Sequence, residues 1–105
     1  MTKLFIDDIR ECPEGFSCAR TSSDAIDWVK KNGCPDFISF DHDLGGEDTT
    51  MAFVNWFIGG VLDKEIVLPK DFRYNIHSAN PVGSENLRSK LENLLAFLDG
   101  SEVIY

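Results

Sequence analysis

Three short apolar runs, each breaking off into polar or acidic residues, constrain the fold of this chain more than any other feature. Leu4-Phe5-Ile6 ends in Asp7-Asp8, and Phe37-Ile38-Ser39-Phe40 ends in Asp41-His42-Asp43. More weakly, Arg73-Tyr74-Asn75-Ile76 runs into His77-Ser78. Runs this short and this apolar suit strands covered on both faces, as in a parallel sheet. Residues 16–20 fit an edge strand.

Helical patterns fill the spaces between. Thr21-Ser22-Ser23 offers capping hydroxyls to a helix running through Asp24 to about Lys31, with Gly33 as its stop. A second helix starts near Thr49-Thr50 and carries Phe53, Val54, Trp56, Phe57 and Ile58, so it should be largely buried. Gly59-Gly60 predicts a break or kink in it. In a third helix Leu87, Leu91, Leu94, Leu95 and Leu98 form a core stripe, Asn80 caps, Pro81 takes the first position and Gly100 ends it. Trp28 and Trp56 read as core, and residues 102–105 fit a last short strand. Strand and helix alternate, which predicts one α/β domain over residues 1–105. One irregularity is the passage from Ile6 to Phe16, containing Cys12-Pro13-Glu14-Gly15, which is too short for a crossover helix and reads as a loop or single turn.

Composition narrows the function classes. A net charge of −8 repels a long phosphate backbone and argues against extended binding along DNA or RNA. A small phosphorylated ligand or a nucleic-acid end remains compatible with it, because a bound divalent cation reverses the local sign. No apolar run approaches the roughly 18 residues of a membrane span, and the first residues lack a signal-peptide core. The expectation is a soluble cytoplasmic protein with no membrane partner. Cys12, Cys18 and Cys34 form no C-x-x-C pair and are expected to be free thiols in a reducing cytosol.

In open parallel sheets, ligands bind beyond the carboxyl ends of the strands. Asp7, Asp8 and Asp41 should converge there, with Asp43 nearby. Carboxylates in that number need a compensating cation, and hard oxygen ligands suit Mg²⁺, Mn²⁺ or Ca²⁺, with Mg²⁺ or Mn²⁺ favoured. Both histidines lie in the same segments. His42 stands between two aspartates, and His42 with His77 suits acid and base work on a phosphodiester, or metal ligation. Arg10 and Arg20 are candidate phosphate forks, and either reads also as an ordinary surface cation. Ser78, Asn80 and the N–H groups around Val82-Gly83-Ser84 offer an anion site at the third helix, and Gly45-Gly46 gives a turn that wraps a ligand.

The order of an Asp pair after the first strand, an Asp after the third and Ser-Ala after the fourth resembles the receiver domains of two-component signalling. More specifically, LFIDDIR, ART, ISFDHDLGG and IHSANPVG resemble the cyclic-phosphate-processing receiver-like family over residues 3–98. The resemblance implies a three-layer flavodoxin-like fold with a degenerate first crossover and an acidic metal pocket. It implies that Asp7 and Asp8 are the metal-binding pair, Asp41 the phosphoacceptor position, Ser78 the hydroxyl position, and His42 and His77 the distinguishing histidines. Two departures stand out. The sequence to Tyr105 shows no Lys after a fifth strand, which speaks against ordinary phosphorelay, and Thr49-Thr50-Met51-Ala52 lacks the Gly common at that helix start.

The leading expectation is therefore metal-assisted opening or hydrolysis of a cyclic phosphate on a nucleotide or RNA end. Asp7, Asp8 and Asp41 would hold the cation, Asp41, His42 and His77 the chemistry, and Arg10, Ser78 and Asn80 the phosphate. In a variant of this chemistry Asp41 is the nucleophile and forms an acyl phosphate. The alternatives are a signalling module switched at Asp41 and a binding module without turnover.

Overall fold

The computed structural model describes residues 2–98. Elements follow in the order β1 (Lys3–Ile6), β2 (Ser17–Ala19), α1 (Ser22–Asn32), β3 (Phe37–Phe40), α2 (Thr50–Leu62), β4 (Arg73–Ile76) and α3 (Pro81–Leu98). The described strands form one parallel sheet in the order β2-β1-β3-β4. The fold is α/β and flavodoxin-like, and its first crossover has no helix. The strand proposed at residues 102–105, and Gly100, lie outside the described residues.

Alternation along the strands decides what each face does. Leu4, Ile6, Ile38 and Phe40 point to one side and share a buried core with Ala25 and Val29 of α1, Phe53, Val54 and Phe57 of α2, and Leu87, Leu91 and Leu94 of α3. Phe5 and Ser39 point to the other side. There, among the described residues, the cover is the β1–β2 segment, with Phe16 edge-on to both Phe5 and Phe37. Trp28 and Trp56 are partly buried against the core, as the sequence suggested.

The helix signals were read correctly at α1, where the Thr21 side chain accepts from the Asp24 N–H and Gly33, at φ 83°, ends the helix. At α2 the expected break does not occur: the helix continues through Gly59-Gly60 to Leu62. Gly60 serves close packing instead, since a Cβ there would lie 2.5 Å from Cδ1 of Ile66.

The cysteine expectation is overturned. Cys12 and Cys18 form a disulfide, with their Cα atoms 6.0 Å apart. The turn between them, in which the Phe16 N–H donates to the Pro13 carbonyl and Gly15 takes φ 87°, folds the segment back on itself and brings the thiols together. Cys34 alone is free, and burial first, then Asp36, pushes its thiol up to about 12, so it is inert at neutral pH. No helix among the described residues is long and apolar enough to cross a membrane.

Candidate metal and phosphate site

The sheet ladder extends one residue past each of three strands and thereby aims the site. The Asp7 N–H donates to the Ala19 carbonyl, the Asp41 N–H to the Ile6 carbonyl, and the His77 N–H to the Phe40 carbonyl. These three residues continue the strand alternation, so Asp7 and His77 emerge on the Phe5–Ser39 side. Asp7, Asp8 and Asp41 each offer a carboxylate oxygen within 4.8 Å of the others.

Asp7 is fully buried. Its Oδ1 accepts from the N–H groups of Ile9 (3.0 Å) and Arg10 (2.9 Å), and its Oδ2 from His77 Nε2 (2.9 Å). Burial pushes its carboxyl up, but the Arg10 and Ile9 amides and His77 outweigh that and hold it below the ordinary aspartate value. The other ring nitrogen, Nδ1, lies 2.7 Å from the Ser39 hydroxyl. The imidazole also stacks on Phe5 at 4.6 Å between centroids. Both ring nitrogens of His77 are thus engaged beneath Asp7.

Asp41 is fixed by its own turn: Oδ1 accepts from the His42 N–H at 2.8 Å, and the Thr50 hydroxyl donates to the Asp41 carbonyl. After it the chain forms an arch. Leu44 is buried, its N–H donates to the Asp48 carbonyl, and the Asp48 carboxylate takes the Ser22 N–H and hydroxyl at the start of α1. Gly45 and Gly46 have φ of 90° and 58°, and a Cβ at Gly45 would lie 3.3 Å from Asp8 Oδ2. A turn exists there, and it leans on the metal-ligand candidate Asp8.

An open cleft of about 600 Å³ lies over the cluster, lined by Asp8, Arg10, Asp41, Asp43, Ser78 and Asn80, with Ile9, Gly45, Gly46 and Ala79 between them. Neither histidine lines it. His42 packs against the start of α3, where a Cβ on Gly83 would meet its ring at 2.4 Å, and its Nδ1 bonds Asp43 Oδ1 at 3.0 Å. That bond first, then one from Asn80, lowers the Asp43 carboxyl.

Several anion-binding expectations need correction. Gly83 N–H donates to Asn80 Oδ1 and Ser84 N–H to the Asn80 carbonyl, so these amides at the α3 start are already spent. Asn80 itself caps the helix and leans its Nδ2 toward Asp43 Oδ2 at 3.3 Å. Ser78 faces the cleft while its hydroxyl accepts from the Asn80 N–H. Arg20 is not a free phosphate fork, because its Nη1 donates to the carbonyls of Asp7 and Arg10. Arg10 is half-exposed, with Nη1 on the His77 carbonyl (2.6 Å) and 3.6 Å from Asp7 Oδ2.

Residues 2–93 match the model of a family described as the cyclic-phosphate processing receiver domain. The chain belongs to that family. No curated protein and no solved structure matches it closely enough to count as a relative. The Asp7–Asp8–Asp41 cluster is of the kind that holds a metal in receiver domains, and its donor set fits a hard divalent cation. In this cyclic-phosphate processing receiver domain the acidic cluster sits at the strand ends and the first crossover has no helix.

Proposed function

We propose that the site binds Mg²⁺ or Mn²⁺ through Asp7, Asp8 and Asp41 and opens a cyclic phosphate on a nucleotide or an RNA end. The observation that carries this reading is the convergence of three carboxylates, one of them fully buried, under a cleft whose lining offers a single cationic side chain. An anionic ligand enters such a cleft only with a cation to offset the carboxylates. A bound divalent ion would supply Lewis-acid stabilisation of charge on the phosphoryl oxygens.

The chain's own residues divide the remaining work. Asp8 and Asp41 present oxygens to the cleft, while Asp7 offers its oxygens from below in an orientation fixed by two amides and His77. Arg10 and the Ser78 hydroxyl stand at the rim, where a phosphate would rest. His77 acts through Asp7 rather than on the ligand, as an orienting partner. His42 braces Asp43 and the start of α3 beside the cleft.

The test is incubation of purified protein with cyclic nucleotides and 2′,3′-cyclic-phosphate RNA ends, with and without Mg²⁺ or Mn²⁺. Turnover that needs the cation and disappears in Asp41→Asn is the expected result. Cation binding without turnover would instead mark a binding module, and a stable phosphate adduct on Asp41 after treatment with acetyl phosphate would mark a switch.

A further inference from the structure

The segment joining β1 to β2 carries Asp7, Asp8 and Arg10, yet it has no helix to hold it against the sheet. Residues 9–11 and 13–15 are exposed, so apolar burial does little to fix them. What fixes them is the Cys12–Cys18 bridge and a set of polar contacts. One guanidinium nitrogen, Nη1 of Arg20, donates to the carbonyl of Asp7 at 3.0 Å and to the carbonyl of Arg10 at 2.6 Å. The two carbonyls bracket the turn whose amides, those of Ile9 and Arg10, point into Asp7 Oδ1. Among the described residues Arg20 makes no ion pair with a carboxylate. Its charge is therefore committed to the backbone of this turn, at the edge of an acidic site.

From this geometry we propose that Arg20 is a positioning residue for the cation site, a role that rests on the cation reading given above. Arg20 follows Ala19, the last residue of β2, whose carbonyl accepts the Asp7 N–H. The strand thus presents its side chain from a fixed base, and the guanidinium draws both ends of the Asp7–Arg10 turn toward β2. With the turn closed, Asp7 keeps both amide donors and Asp8 is held toward Asp41. Without it, the turn opens and the three oxygens lose their common centre. Arg is suited to this, because Nη1 carries two N–H groups in a fixed plane, whereas a Lys ammonium is a rotating point charge on a shorter reach.

The experiment compares wild type, Arg20→Met and Arg20→Lys by Mn²⁺ titration followed by electron paramagnetic resonance. It adds amide hydrogen exchange at Ile9 and Arg10 without metal. Circular dichroism and a metal-free melting curve confirm that each variant is folded. Arg20→Met should weaken Mn²⁺ binding about tenfold, the lower end for loss of a partner behind a metal ligand, and speed exchange at both amides. Arg20→Lys should recover part of each change. Mn²⁺ affinity and exchange both unchanged in Arg20→Met would overturn the role. So would loss of inorganic phosphate binding with Mn²⁺ affinity and exchange intact, which would return Arg20 to the anion. If wild type binds no Mn²⁺ but the exchange effect appears, the turn-closing role stands and the cation reading falls.

Discussion

Two connections in this sheet return the chain to a parallel strand by opposite means. Between β3 and β4 the work is done by α2, which buries Phe53, Val54, Phe57 and Val61. Between β1 and β2 it is done by a disulfide, an arginine on two carbonyls and an Asp turn. The first connection derives its stability from removing apolar surface from water, which is large and indifferent to local geometry. The second relies on a few directional ties, each small, which leave Asp8 and Arg10 open to the cleft above the buried Asp7. The helical connection supplies the apolar burial, while the site draws on both: Asp7, Asp8 and Arg10 come from the polar connection, Asp41 and Asp43 from the turn that opens the helical one.

Several substitutions would break that contrast or sharpen it. The largest effect belongs to the apolar connection: Phe57→Ala should cost about 3–5 kcal/mol in urea denaturation, with Mn²⁺ affinity of the folded fraction unchanged. A loss of affinity as large as the loss of stability would show that the two regions are not separable. Next comes the cation. Wild type should gain about 2.7 kcal/mol at a hundredfold excess of cation over its dissociation constant, and Asp41→Asn should gain almost none, read as melting shifts with and without Mn²⁺. Opening the Cys12–Cys18 bridge with a phosphine reductant should cost roughly 2 kcal/mol for so small a loop, seen as a lower melting temperature that Cys12→Ser reproduces without reductant. Thr21→Ala, which removes the α1 cap, should cost about 1 kcal/mol and leave the site untouched.

Acid supplies the mildest test. The Asp7 carboxyl lies below its ordinary value of 3.8 when folded, so its contribution is complete above that value. It fades as pH falls through the lower, folded value. Acid unfolding should therefore begin at and below that range, and in Asp7→Asn this part of the pH dependence should be absent. Equal acid profiles for the two proteins would place the sensitive group elsewhere.

Much of the fold was legible because its signals are local. Phe37-Ile38-Ser39-Phe40 followed by Asp41 marks both a buried strand and its end, and the strand spans as read. The carboxylate cluster followed from the same rule, since parallel strands bring their carboxyl ends to one edge. Other residues answer to contacts that the linear pattern does not display. Gly60 looked like a helix breaker, yet its lack of a side chain answers to Ile66. Arg20 reads equally as a phosphate fork or a surface cation, because nothing nearby in the sequence shows that the Asp7 and Arg10 carbonyls will claim it. The spacing of Cys12 and Cys18 carries no pairing signal, and it is the Pro13–Phe16 turn that closes their loop. The histidines fall at the right edge, but strand alternation alone does not reveal that Ser39 and Asp7 take both nitrogens of His77.

The contact between Gly83 and His42 sets a rule for how this protein can vary. A methyl at position 83 would stand 2.4 Å from the imidazole Cγ, so the two positions share one fixed allowance of volume. Alanine at 83 must either displace the imidazole or push the first turn of α3 away from the end of β3, widening the mouth of the cleft. A viable chain with a larger residue at 83 should therefore carry a smaller one at 42. Read across variants, that exchange would report the spacing between helix and strand as directly as a ruler.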